Sequence, residues 1–254
     1  MRLAFSTLGC PELSLPEVVA LAKRTGWAGL ELRTAPDDHV HVGLSAGDRA
    51  RVRDQIYGVT PACLASYVRL GGPDAPDAAV ITDLVEHAVL AADLGAPAIR
   101  VFPAWRDDEP GDRAVAQLRA AASQLPATVS IWLETHRPVA RGVDVARVLA
   151  EVNHPRVRAL WDLAHPYIAG EPVERTAEAL GPWLAHVQLK DAGSLDDLTP
   201  VKLGEGVIPV REALAALTTL GYDGWISLEW ERRWYPDAAP LEEALIAARR
   251  WLDA

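Results

Sequence analysis

Eight apolar segments alternate with eight amphipathic segments along this chain, and that alternation constrains the fold more than any other feature. The apolar segments that we predict as strands are residues 3–7, 29–33, 60–68, 98–102, 128–136, 158–165, 185–191 and 225–231. Each is followed by a segment with helical periodicity, and no linker or low-complexity segment separates the units. Eight such units in 254 residues predict an α/β chain that forms a single (β/α)8 TIM barrel over residues 1–254.

The segment after the first strand carries several helix signals. Ser14 and Glu17 form a capping box, Pro16 suits the first helical turn, and Gly26 follows the last apolar position. An open doubly wound sheet is the alternative architecture, but no GxGxxG pattern follows the first strand. The closed barrel is therefore the preferred prediction.

Composition and charge disfavour several classes of function. The chain has 25 Lys and Arg against 35 Asp and Glu, a formal net charge of −10, and this disfavours a nucleic-acid partner. No apolar run approaches the roughly 20 residues of a transmembrane helix, and MRLAFSTLG is not expected to be a secretory signal. Cys10 and Cys63 are too few for a disulfide framework, so we expect a cytoplasmic protein without a membrane partner. A homo-oligomer is compatible with the sequence.

Polar side chains occur at or near the far ends of four predicted strands. Glu134, Asp162, Gln188 and Glu229 belong to strands five to eight. The C-terminal strand ends carry the active site in barrels of this kind. Three buried carboxylates would raise one another's pKa values, and a divalent cation removes that cost. An all-oxygen set favours a hard ion, so we expect one divalent cation, Mn²⁺ first, with Mg²⁺ or Co²⁺ as alternatives ahead of Zn²⁺.

Alternation within the strands places the polar residues on a common face. In strand five, Trp132 and Glu134 alternate with Ile131 and Leu133, and strands seven and eight follow the same pattern. The aliphatic face is predicted to contact the helices, and the other face is predicted to line the mouth of the barrel.

Five motifs resemble those of the xylose isomerase-like TIM-barrel family, also called the sugar phosphate isomerase/epimerase superfamily. They are LETH (133–136), WDLAHPY (161–167), HVQLKD (186–191), LGEG (203–206) and SLEW (227–230). The resemblance covers essentially the whole chain. It implies that Glu134, Asp162, Gln188 and Glu229 bind one divalent metal and that His165 contacts the substrate.

The resemblance also implies a mechanism. The cation holds the carbonyl and an adjacent hydroxyl of a small keto-sugar or sugar acid, which lowers the pKa of the C–H bond between them. Glu134 and Glu229 are then the catalytic residues that flank a cis-enediolate, one removing the proton and the other returning it. The expected function is that of a metal-dependent sugar isomerase or epimerase.

Further residues are candidates for contact with a small polyol or keto-sugar. They are His165, Lys190, His136, Glu31, Arg100 and Trp105. Lys190 would hold or polarise a substrate oxygen, or would form a salt bridge with a carboxylate at the rim. Glu31 and Arg100 both point inward and would contact the substrate or pair with each other.

The aromatic residues after the strands suggest an apolar side to the pocket. Trp105, Trp230 and Trp234 follow strand ends and would form that wall. His186 lies deeper in strand seven and is interpreted as a core histidine.

Gln188 separates the functional alternatives within the resemblance. Ketose 3-epimerases usually carry His at this position, whereas hydroxypyruvate isomerase and some dehydratases carry Gln. A metal-dependent dehydratase of the inosose or 3-dehydroshikimate type is therefore the alternative, and a non-catalytic sugar-binding barrel is a third possibility. Endonuclease IV is disfavoured, because its three-zinc site needs additional histidines on early strands and His39 and His41 lie in a loop.

Overall fold

Eight parallel strands close into a barrel in the computed structural model, which describes residues 1–106, 108–109 and 111–254. The strands are β1 (Arg2–Ser6), β2 (Gly29–Arg33), β3 (Thr60–Leu70), β4 (Ala98–Pro103), β5 (Ser130–Glu134), β6 (Val157–Asp162), β7 (Leu184–Leu189) and β8 (Trp225–Leu228). They follow one another in chain order around the ring, and β8 pairs with β1. The predicted single (β/α)8 barrel is confirmed.

Helices connect the strands and surround the barrel. They are α1 (Leu15–Thr25), α2 (Ala46–Gln55), α3 (Asp77–Leu94), α4 (Asp112–Ala122), α5 (Gly142–Val152), α6 (Ala164–Ile168), α7 (Val173–Leu180), α8 (Val210–Thr219) and α9 (Leu241–Leu252). The capping box predicted for α1 is present, since Ser14 N and Ser14 Oγ both donate to Glu17 Oε2, at 2.8 and 2.6 Å. Within the described ranges, no helix is both long enough and apolar enough to cross a membrane.

The strand predicted at 158–165 is too long. It ends at Asp162, and the chain then forms the short helix α6, so His165 is helical. Asp162 Oδ1 accepts a hydrogen bond from Ala164 N at 2.9 Å. This side-chain contact satisfies an amide at the start of the helix, where a strand would have used a neighbouring backbone.

The inside of the barrel is apolar in its lower part. Two buried clusters fill it: Cys63, Ala98, Trp132 and Leu160, and Ala4, Ala62 and Trp225. Gly29 makes room for the second cluster, because a Cβ at this position would approach a ring carbon of Trp225 to 2.6 Å. The outward side chains Ile131 and Leu133 pack into the large cluster shared with the helices, as predicted.

The loop after β7 is held by one carboxylate. Asp191 Oδ1 accepts hydrogen bonds from Ala192 N and Ile208 N, and Asp191 Oδ2 accepts from Gly204 N and Gly206 N, all at 2.9–3.1 Å. A Cβ on Gly206 would collide with the Asp191 carboxylate and the Ala192 carbonyl. The LGEG motif therefore fixes Asp191, two residues after the end of β7, through backbone hydrogen bonds.

Candidate active site

The four predicted metal ligands meet at the C-terminal end of the barrel. Glu134 and Asp162 are the last residues of β5 and β6, Gln188 lies one residue before the end of β7, and Glu229 directly follows β8. The strand predicted at 225–231 therefore ends three residues early. All four residues are at most 6% exposed. Asp162 is the register partner of Gln188, and Gln188 Nε2 lies 3.2 Å from Glu229 Oε1.

Lys190 lies among these carboxylates. Its Nζ is 2.8 Å from Asp162 Oδ2, 2.5 Å from Glu229 Oε2 and 2.8 Å from Glu231 Oε1. The structure thus contains the salt bridge to a rim carboxylate that the sequence left as one option for Lys190. Burial opposes the charged form of the amine, but the three carboxylates more than offset it and raise the pKa of Lys190.

The carboxyl groups of the site differ in their pKa values. Burial raises the pKa of Glu134 to about 7, despite the opposing charge of Arg100. Burial also raises the pKa of Glu229 well above its usual value, with Asp162, Glu231 and Glu134 adding to the effect. For Asp162, burial is more than offset by the charge of Lys190, and its pKa is lowered. Without a further cation, the cluster does not hold all its carboxylates ionised.

Arg100 pairs with the metal-ligand candidate on the next strand. Its Nη1 donates to Glu134 Oε2 at 2.6 Å, and its guanidinium carbon lies 4.0 Å from the ring centroid of Phe102. Arg100 therefore pairs with Glu134 and not with Glu31, whose pairing with Arg100 was one of the two alternatives that the sequence left open. Strands β2 and β4 are separated by β3, whereas β4 and β5 are neighbours, so Glu134 is the nearer carboxylate.

Glu31 contacts His186 and Gln188 in the barrel interior, below the site. Glu31 Oε1 lies 2.5 Å from His186 Nε2, and Glu31 Oε2 accepts a hydrogen bond from Gln188 Nε2 at 3.2 Å. The His186 ring stacks on Trp132, with centroids 5.2 Å apart. Burial would raise the pKa of Glu31, but the contacts with His186 and Gln188 lower it overall. Glu31 is fully buried here and supports Gln188 from the barrel interior.

Two histidines stand together at the rim. The rings of His136 and His165 have centroids 4.2 Å apart, and His165 Nε2 lies 3.7 Å from Asp162 Oδ2. Burial lowers the pKa of His136 to about 3 and also lowers the pKa of His165. Both rings are therefore neutral at physiological pH and can exchange hydrogen bonds with hydroxyl groups.

A cavity of about 220 Å³ opens over these residues. Its described lining consists of Leu8, Tyr67, Arg69, Arg100, Phe102, Glu134, His136, Lys190, Glu229, Glu231 and Trp234. Drug-sized ligands occupy pockets of ~300–1,000 Å³, so this cavity suits a smaller molecule. The wall combines charged groups with aromatic rings.

Of the three tryptophans predicted to wall the pocket, one does so. Trp234 lines the cavity and is half exposed. Trp105 is 2% exposed and packs near Gly71 and Gly111, so its predicted substrate contact has no support in the geometry. Trp230 is buried, and its Nε1 donates to Ala239 O.

Several cavity residues were absent from the sequence-based candidates. They are Leu8, Tyr67, Arg69, Phe102 and Glu231. Tyr67 and Arg69 lie on β3, which extends two residues beyond its predicted end. The alternation of Tyr67 and Arg69 with Val68 and Leu70 is the signal that would have revealed them.

The donor set fits a divalent cation. Gln188 Oε1 is buried and accepts no hydrogen bond from the described residues. The ammonium of Lys190 contacts both Asp162 and Glu229, so these two carboxylates lie close enough to bind one positive charge between them. Glu134 and Glu229 complete a set of hard oxygen ligands. Of the four predicted ligands, Glu134 alone belongs to a described group of His, Cys, Asp or Glu whose possible ligand atoms all lie within 4.8 Å of one another, together with His136 and His165.

Comparison with known proteins identifies the class. The model of the family described as xylose isomerase-like TIM barrel matches residues 19–254. The chain therefore belongs to this family, and the resemblance seen in the sequence motifs is confirmed.

Individual relatives cover less of the chain. Fructoselysine 3-epimerase of Escherichia coli O157:H7 is 34% identical over 86 residues, 34% of this chain and 31% of that protein. Inosose dehydratase of Bacillus licheniformis is 33% identical over 128 residues, 43% of this chain and 41% of that protein. These matches thus span less than half the length of either relative. A solved structure of the IOLI protein with a zinc atom aligns at a TM-score of 0.79 and 19% identity, covering 98% of this chain and 96% of that chain.

Proposed function

We propose that this protein is a divalent-cation-dependent isomerase or epimerase of a small keto-sugar or sugar acid. The observation that carries the proposal is a pair of carboxyl groups, Glu134 and Glu229, that line one cavity from positions three strands apart. In the cation-free protein, burial raises the pKa of both. A carboxyl group beside the reacting carbon can accept a proton as the carboxylate and return it as the carboxylic acid, which is what proton transfer at carbon requires.

Glu134, Asp162, Gln188 and Glu229 would hold the cation. When bound, the cation polarises a carbonyl and its neighbouring hydroxyl and so acidifies the C–H bond between them. Glu231 offers the ammonium of Lys190 a carboxylate outside this set of four. We propose Mn²⁺ first, with Mg²⁺ and Co²⁺ as alternatives. Zn²⁺ belongs in the comparison because the IOLI protein binds a zinc atom in its crystal structure.

The remaining rim residues would orient the sugar. Lys190 and the neutral rings of His136 and His165 can bind substrate hydroxyl or carbonyl oxygens. Arg100 holds Glu134 in place through the 2.6 Å contact and so fixes the position from which this carboxyl reaches the cavity. Trp234 and Phe102 offer apolar faces to the sugar ring.

A dehydratase is the second candidate. The match to inosose dehydratase over 43% of this chain favours it, as does the amide at Gln188. The same two carboxyl groups would remove a proton and then protonate a departing hydroxyl, so that water leaves. The first step is common to both candidates, and only the fate of the hydroxyl differs.

Incubation of keto-sugars in D₂O with the Mn²⁺-loaded protein tests both candidates. Deuterium incorporation at the carbon beside the carbonyl, without loss of water, supports the isomerase or epimerase. A dehydrated product supports the lyase. Glu134→Gln and Glu229→Gln should each abolish exchange, whereas Glu243→Gln, on the exposed face of α9, should not. Exchange that survives both site substitutions would overturn the proposal.

A further inference from the structure

Strand β3 extends the cavity wall beyond the barrel rim. It has 11 residues, whereas the other strands have four to six. At its far end Val68 and Leu70 are buried in the outer core, and Tyr67 and Arg69 alternate with them and line the cavity. Arg69 is opposite Phe102 of β4 in the register. An arginine therefore lies on the wall above the predicted metal ligands.

Among the three cations in the described lining of the cavity, Arg69 is the one that contacts no carboxylate. Arg100 pairs with Glu134, and Lys190 pairs with Glu229 and Glu231. By contrast, Arg69 forms no ion pair with any residue in the described parts of the chain, and its guanidinium carbon lies 5.8 Å from the ring centroid of Phe102. Two arginines near the mouth are also paired.

Those two arginines are Arg33 and Arg233. Arg33 Nη1 lies 2.6 Å from Asp38 Oδ1, and Arg233 pairs with Asp37. Neither can offer an uncommitted guanidinium to a ligand. Arg69 is exposed and has its hydrogen-bond donors available.

The charges of the site leave Arg69 unbalanced. The carboxylates at the base of the cavity already have cationic or histidine partners: Glu134 contacts Arg100, Asp162, Glu229 and Glu231 contact Lys190, and Glu31 contacts His186. None of these carboxylates pairs with Arg69, so its positive charge on the cavity wall has no partner among the described residues. A neutral sugar would leave it without a partner, whereas a ligand with an anionic group would pair with it.

We propose that Arg69 binds an anionic group of the substrate, so that this enzyme acts on a keto-sugar that carries a carboxylate or a phosphate. The inference rests on the proposed function. A guanidinium binds either group through two parallel N–H donors, which is a geometry that lysine lacks. The reacting carbon lies at Glu134 and Glu229, and the anionic group lies at the opposite, β3 side of the cavity. Arg69 is thereby the residue that selects charged over neutral sugars.

Binding without turnover tests this assignment. The Mn²⁺-loaded protein is titrated calorimetrically with D-fructose, D-fructuronate and D-fructose 6-phosphate. The wild type should bind at least one of the two anions roughly tenfold more tightly than D-fructose, since a charge-assisted hydrogen bond contributes about that much. Which anion is preferred distinguishes a carboxylate from a phosphate substrate.

Substitutions identify the residue responsible. Arg69→Met should bring the affinity for the preferred anion down to that for D-fructose, and Arg69→Lys should restore part of the difference. Arg250→Met, on the exposed surface of α9, is the matched control and should keep the preference. Added salt should weaken anion binding more than D-fructose binding.

Three results would overturn the assignment. They are equal affinities for all three sugars in the wild type, a preference for the anions that persists in Arg69→Met, and binding of none of the three by a protein that still takes up Mn²⁺. Each leaves the proposed proton transfer standing, since that depends on cation binding and on D₂O exchange. Conversely, a wild type that binds no cation contradicts the proposed function itself.

Discussion

Lys190 contacts three carboxylates, and this one side chain dominates the electrostatics of the candidate site. It neutralises part of the charge of Asp162 and Glu229, which would otherwise be buried without a counterion. The same two carboxylates are predicted to bind the cation. Lys190 and a bound divalent cation would therefore compete for shared ligands, and we expect the lysine to stabilise the fold when the cation is absent.

Lys190→Met should make folding dependent on a cation. Removing one partner of a buried ion pair costs about 3–5 kcal/mol, because the other charge stays behind. We expect the cation-free variant to lose stability by roughly this amount in urea unfolding and to regain most of it with Mn²⁺. Lys23→Met is an exposed control with little expected effect. Equal stability of wild type and Lys190→Met in EDTA would argue against the competition.

Glu134 predicts a pH dependence for the cation-free protein. Burial raises its pKa from 4.5 to about 7, so between these values the folded state holds a proton that the unfolded chain releases. Where the folded state binds more protons, stability falls as the pH rises. The stability of the wild type relative to Glu134→Gln should therefore decrease from about pH 4.5 to about pH 7. Urea unfolding of both proteins in EDTA at several pH values measures this difference in stability. An increase in the stability of the wild type relative to Glu134→Gln over this pH range would contradict the raised pKa.

For individual residues, the sequence predicted the direction of side chains more accurately than it predicted their contacts. Period-two alternation placed Glu31 and Arg100 inward, as observed, but their partners depend on which strands are adjacent. Trp105 lies beyond the end of β4, where alternation no longer applies, and it turns into the core. Phe102 belongs to the predicted fourth strand, yet its place in the cavity wall emerged only from the three-dimensional structure.

Among the secondary-structure elements, the loop after β7 shows how a strand end is fixed. Four backbone amides donate to Asp191, and Gly206 must approach this carboxylate closely. Such a satisfied carboxylate rigidifies the chain next to the predicted ligand Gln188. The sequence contained the LGEG motif, but nothing in its spacing indicated that Asp191 is its partner.

Gly206→Ala should destabilise the protein through this loop. The added methyl group collides with the Asp191 carboxylate and the Ala192 carbonyl, and such overpacking typically costs about 1–3 kcal/mol. Gly47→Ala in α2 is the matched control, since its Cβ meets no atom closer than 3.8 Å and alanine favours a helix. In urea unfolding, Gly206→Ala should lower the free energy of unfolding, whereas Gly47→Ala should raise it or lower it clearly less. A loss in Gly206→Ala no larger than in Gly47→Ala would contradict this role of the loop.

Element boundaries were predicted with unequal accuracy, and the sixth strand was misjudged where a side-chain contact replaces backbone pairing. The capping box and Gly26 marked both ends of α1 correctly. In contrast, apolar residues continue past Asp162, so the sixth strand was extended into α6. Helix α3 begins at Asp77, directly after Pro76, which has an extended backbone conformation.

For the whole molecule, the alternation of eight units was sufficient to predict the closed barrel, because parallel strands with short connections have few other arrangements. Closure in chain order then brings β5 to β8 side by side, which is why four residues from separate segments meet. The position of the site was thus a consequence of topology. The identity of the substrate does not follow from topology, because it depends on the side chains of β3 and of the loops that line the cavity.

Counting the bound cation tests the central claim most directly. Protein stripped with EDTA, reloaded with Mn²⁺ and desalted is analysed by elemental mass spectrometry, beside the double variant Asp162→Asn/Glu229→Gln and the exposed control Glu243→Gln. We predict one Mn²⁺ per chain in the wild type and the control, and none in the double variant. A wild type without a bound cation, or a double variant that retains a full equivalent, would contradict the proposed cation site.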